Sequence, residues 1–134
     1  MKNLFEVNIK KTDTCLTYVL RRIGADKLID KITYDNLHEH FDFKSFERSS
    51  QEKLKLGQIF LWDRTMELVD LPWSIDQNGT ILWHKVGVGY HFAVYEGNDM
   101  FSDCSRLERN PHPSLRMRRF SDLKKMPDHI LTLL

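Results

Sequence analysis

Cysteine is scarce in this chain, with two in 134 residues, Cys15 and Cys104. Two cysteines cannot build the disulfide framework of a small secreted domain. A hydrophobic core must therefore hold the fold, and each thiol needs explaining as core filler or as chemistry. Glycine (six) and proline (four) are also sparse, which excludes collagen-like and low-complexity architectures. No apolar run approaches the ~20 residues that a membrane-spanning helix requires. The start, Met-Lys-Asn-Leu-Phe-Glu-Val, lacks the apolar run of a secretory leader, which points to the cytoplasm. Excess charge is missing too. A formal net charge of +1 gives no overall field to draw in nucleic acid or a membrane surface, so neither is expected as a partner.

What is present is an ordinary globular balance, 41% apolar and 29% charged, in a length that suits one domain. Leu16, Val19, Leu20 and Ile23 fall at i, i+3, i+4 and i+7, which predicts an amphipathic helix within 12–24. Thr12, Asp13 and Thr14 offer N-caps, and Gly24 supplies a left-handed stop. Residues 25–55 read as further helix, first through Leu28, Ile29 and Ile32, then from Tyr34 to Phe43, with a loop at Ser49–Glu52. The period then changes. Leu56–Trp62 reads as a buried strand, and 63–90 as a hairpin insertion around Asn78-Gly79. Tyr90–Tyr95 and Met100–Cys104 read as strands joined by a tight turn at Gly97-Asn98-Asp99. An irregular segment with Pro111 and Pro113 and an Arg-rich 115–125 complete the chain. Helices first and an antiparallel sheet afterwards predict a single α+β domain over 1–134.

The chemistry follows from position. Cys15 lies in the first turn of its helix, where partially positive backbone amides favour a thiolate. A histidine from elsewhere would activate it, provided a polar group holds the second ring nitrogen. His91 opens a strand of core-type residues, and small Ala93 on the same face leaves room for a partner helix. Asp103 lies on the returning strand, within reach across the ladder, where it would fix the imidazole. Ser102 and Ser105 are alternatives for that last role. Cys104, of opposite parity to Asp103, reads as core filler.

Three segments carry a family resemblance. Asp13–Gly24 resembles the nucleophile helix of NlpC-type, papain-like cell-wall peptidases. Leu54–Leu61 is similar to the strand those enzymes enter through a "Leu-x-Pro-Gly-Asp" turn. His91–Asp103 is similar to their "His-Val-Gly-Ile-Tyr-x-Gly-Asn-Gly" hairpin. The resemblance implies a papain-like fold, with N-terminal helices packed on an antiparallel β-sheet. It also implies a thiol hydrolase acting on peptide stems of the peptidoglycan kind through Cys15, His91 and Asp103, without a cofactor. Delivery within a larger particle such as a phage would accommodate such a substrate. The chain departs from the family at Thr14-Cys15-Leu16-Thr17, where Asp-Cys-Ser-Gly is usual, and at Leu56 and Gln58 in the central turn. None of the residues before Cys15 is the tyrosine that often completes the oxyanion hole, so the hole falls to the Cys15 amide and a second donor left open.

Trp73, following Pro72, and Trp83 are the candidates for a substrate-binding wall on the 63–90 insertion. His38-Glu39-His40 lacks the spacing of a metal site, so no metal is expected. Arg106, Arg109, Arg116, Arg118, Arg119, Lys124 and Lys125 make a solvated face or a rim for an acidic substrate. Two further functions fit the same residues: a catalytically silent binding module, and an acyltransferase or deamidase.

Overall fold

The computed structural model of the chain describes residues 4–33, 35–105 and 113–134. Six strands form one antiparallel sheet: β1 (Phe41–Ser45), β2 (Ile59–Ile75), β3 (Ile81–Gly97), β4 (Met100–Ser105), β5 (Ser114–Arg119) and β6 (His129–Leu133). Their spatial order is β1-β6-β2-β3-β4-β5. The C-terminal strand thus inserts between the first two, pairing Leu131 with both Phe43 and Ile59.

The centre of the sheet is buried on both faces, which is why its strands are continuous apolar runs rather than alternating ones. Ile59, Leu61, Phe92, Val94, Cys104 and Leu131 point to one side and pack with Tyr18, Val19 and Leu20. Phe60, Trp62, Ala93, Tyr95, Phe101 and Ile130 point to the other and pack with Phe120. Phe60, fully buried, makes edge-on contacts with Phe46, Trp62, Tyr95, Phe101 and Phe120.

The helix predicted within 12–24 forms as α1 (Cys15–Arg22). Of the three possible caps, Thr14 takes the position, in a reciprocal capping box with Thr17. Gly24, at φ +76°, closes the far end. Its amide donates to the Arg21 carbonyl and that of Ala25 to Leu20, the paired bonds of a Schellman motif.

The expected papain-like α+β architecture, with N-terminal helices packed on the sheet, is not what forms. The protein is mostly β, and after α1 the described residues contain one further α-helix, the single turn α2 (Leu37–His40). Residues 26–28 and 48–53 make only 3₁₀ turns. The physical cause is long-range pairing. Leu37 and Phe41 are at helical spacing, but Phe41 and Phe43 are at strand spacing, and β6 offers a full ladder from Phe41↔Leu133 to Ser45↔His129. The 63–90 segment is likewise continuous with β2 and β3. Its two strands run on as a ribbon that closes at 76–80, where Asp76 accepts from the amides of Asn78 and Thr80 and Gly79 has φ +81°. Among the described residues no helix is long and apolar enough to cross a membrane.

Candidate active site

Cys15 is the first residue of α1, so its amide is among those a helix leaves unsatisfied, and the helix dipole acts on its side chain. The approach to it is fixed by Asp13, a buried carboxylate. Asp13 accepts from the Lys10 amide at 2.7 Å and the Thr17 hydroxyl at 3.0 Å, and pairs with Arg21. Burial pushes the Asp13 carboxyl up, but these hydrogen bonds and the Arg21 charge prevail and hold it below the ordinary range. The unusual Thr14 and Thr17 around the cysteine therefore have a local purpose in starting the helix.

α1 packs on the face carrying Phe92 and Val94. His91 has the parity of Ala93 and Tyr95, on the opposite face, where its ring lies 5.6 Å from that of Trp62. The Cys15 sulfur lies 3.8 Å from the carbonyl oxygen of Tyr90, the neighbour of His91 in β3, and is close enough to the imidazole to raise its pKa.

The turn that returns the chain from β3 to β4 sets the other half of the site. Asn98 and Asp99 both have positive φ, 52° and 60°, as a two-residue type I′ turn demands. Gly97 pairs with Met100, a register shift at Glu96 follows, and the ladder then runs Tyr95↔Phe101 and Val94↔Ser102. The shift puts Phe101 and Asp103 on the face of Tyr95 and His91. Asp103 Oδ2 lies 2.7 Å from His91 Nε2. That leaves Nδ1 as the ring nitrogen free to exchange a proton with sulfur.

Asp103 is fully buried and carries a second partner. Arg116 stands opposite it on β5 and donates from Nε to Oδ1 at 2.8 Å and from Nη2 to Oδ2 at 2.9 Å. Burial pushes the Asp103 carboxyl up, but the hydrogen bonds and charges of His91 and Arg116 outweigh it and hold it below the ordinary carboxylate range. For His91, burial works against the charge. Hydrogen bonds to Asp103 and Cys15, and the attraction of both groups, more than offset it and raise the pKa from 6.5 to about 9.

Cys15, His91 and Asp103 are thus brought together. Ser102 is not available as the orienting group: it hydrogen-bonds Tyr18 at 2.6 Å and Glu96 at 2.8 Å on the α1 side of the sheet. Cys104 is buried in the core of that same face. Trp83 is not brought to the triad. It is half-exposed on the ribbon, eight residues from His91 and so roughly 26 Å away along an extended strand. Trp73 belongs to β2, but its side chain lies outside the described residues, as do Arg106, Arg109 and His112. His38 stacks on Phe43, with ring centroids 3.9 Å apart. Among the described residues no group of three or more His, Cys, Asp or Glu could hold a metal ion.

Arg116 is the member that sequence reasoning missed, counting it only within a basic stretch. Its partnership depends on the β4–β5 register, which nothing local to either strand fixes. The residues gathered here are a thiol, an imidazole and a buried carboxylate, side-chain types that can together support nucleophilic catalysis on an acyl group. No protein-family model, curated protein or solved structure matches this chain.

Proposed function

We propose that this protein is a cysteine hydrolase that cleaves an amide bond, with Cys15 as nucleophile, His91 as general acid and base, and Asp103 as the orienting carboxylate. The observation that carries the reading is His91 itself, hydrogen-bonded to Asp103 at 2.7 Å, with the thiol at the start of α1 beside the adjoining Tyr90 carbonyl and raising the pKa of the ring. With its proton on His91, the Cys15 sulfur attacks the carbonyl carbon. The oxygen takes up negative charge beside the Cys15 amide. His91 protonates the leaving nitrogen as the C–N bond breaks, leaving a thioester. Water, giving its proton to His91, attacks that thioester. The acid departs, and the proton returns to the Cys15–His91 pair.

The three segments that resemble NlpC-type peptidases point to a short peptide, of the peptidoglycan-stem kind, as the acyl donor. An acyltransferase or deamidase would share the first half of this cycle and differ in what accepts the acyl group or leaves as amine. Free thiols fit a reducing compartment, the cytoplasm or the interior of a delivering particle.

Alkylation by iodoacetamide near pH 7 tests the reading without a known substrate. Cys15 is expected to label well above the rate of glutathione, and His91→Ala to fall to that rate. Cys104, buried in the core, provides an internal control that stays unlabelled. A wild-type Cys15 no faster than glutathione would overturn the nucleophile and favour a binding module instead.

A further inference from the structure

Asp103 has no contact with solvent and yet is held as an ion. One imidazole does not account for that arrangement. A carboxylate held through one oxygen can still rotate about its last side-chain bond, carrying its lone pairs away from the ring it is meant to orient. Arg116 removes that freedom. Its Nε and Nη2 bind the two oxygens separately, at 2.8 and 2.9 Å. A planar fork on a planar carboxylate fixes the carboxylate's plane as well as its charge. Oδ2 is left presented to His91 Nε2 at 2.7 Å while also receiving Arg116.

We infer that Arg116 is a positioning residue of this site, acting through Asp103 to hold the His91 ring in line with Cys15. The inference rests on the hydrolase reading above, because it gives the carboxylate a task to be positioned for.

The other arginines of β5 do not share this position. The Arg118 guanidinium lies over the Phe101 ring, 6.0 Å from its centroid, and the Arg119 backbone amide is engaged by Asp122. Arg116 reaches the site because it is directly across the β4–β5 ladder from Asp103. Among the described residues, the titratable groups that act most on His91 are Asp103 from β4 and Cys15 from α1. The Arg116 charge stands behind the carboxylate, and Trp62 from β2 covers the ring without a titratable group.

Two contributions of Arg116 separate by substitution. Its charge favours the carboxylate, so removing it raises the pH at which Asp103 takes up a proton and releases the ring. Its fork sets geometry, which a lysine ammonium cannot reproduce. The test is the rate of Cys15 alkylation by iodoacetamide as a function of pH in wild type, Arg116→Gln and Arg116→Lys, with thermal melts on each. In Arg116→Gln the acid limb is expected to move to higher pH. The plateau is expected to fall by roughly 10- to 100-fold, the scale on which outer partners of a working histidine act. Arg116→Lys is expected to restore the acid limb but not the plateau.

If Arg116→Gln fails to fold, Arg116→Lys against wild type still decides the geometric part, and an unchanged plateau there overturns the inference. A folded Arg116→Gln with wild-type limb and plateau also overturns it, while leaving the hydrolase reading intact. A wild-type Cys15 that labels no faster than glutathione overturns that reading first, and the inference with it.

Discussion

The proton on His91 should be visible in the stability of the whole protein. In the fold its pKa is raised to about 9, against 6.5 for an unhindered imidazole. A group that binds its proton more tightly when folded contributes stability that is fully present below the unfolded value and lost as pH rises through the folded one. The window therefore runs from about pH 6.5 to about pH 9. It spans two and a half pH units, which at 1.36 kcal/mol each amounts to about 3 kcal/mol. In a domain of 134 residues, each kcal/mol moves the melting temperature by about 4 °C, so a fall of about 10 °C is expected across the window. Urea unfolding and thermal melts between pH 6 and 10 measure it. Other groups titrate there too, so the informative quantity is the difference between wild type and His91→Gln, whose profile should be flatter by that amount. In Cys15→Ala the sulfur's contribution is lost and that of Asp103 remains. The ring should then titrate below its wild-type value but above 6.5 in a ¹H–¹³C NMR titration. A wild-type His91 titrating near 6.5, or no difference between the wild-type and His91→Gln profiles, would refute the reasoning.

Two further substitutions check the scaffold. Gly24→Ala forces an L-residue into φ +76°, and its Cβ would run into the Phe5 ring. Because that ring is half-exposed and can swing aside, the backbone should dominate, with a loss of about 1–2 kcal/mol by urea unfolding. Phe60→Ala empties the centre of the aromatic face, where five rings meet it. A loss of about 3–5 kcal/mol, toward the upper end, is expected from the same measurement.

Much of the candidate site was legible because its determinants are local. Thr14 and Gly24 bracket α1, and that puts Cys15 in the first turn. Alternation along β3 puts His91 on a defined face, and the turn at Gly97-Asn98-Asp99 folds β4 back beside it, but the register shift between Tyr95 and Gly97 that brings Asp103 within reach was not legible. The fold class was misread for the opposite reason. Residues 37–45 carry apolar side chains at spacings compatible with helix and with strand. The choice fell to β6, which lies some ninety residues further along and pairs with Phe41 and Phe43. The extension of β2 and β3 into one long ribbon was decided by cross-strand pairing rather than by a pattern within either strand.

The sequence by itself determined the helix that begins at Cys15, the strand that carries His91 and the turn that folds β4 back on it, because capping, alternation and tight-turn geometry act over a few residues. Tertiary structure alone decided that β6 enters between β1 and β2 and that Cys15 comes against the Tyr90–His91 end of its strand segment. It also decided that Arg116 stands across from Asp103. Each depends on a register between distant strands, and only burial of the two sheet faces together fixes it.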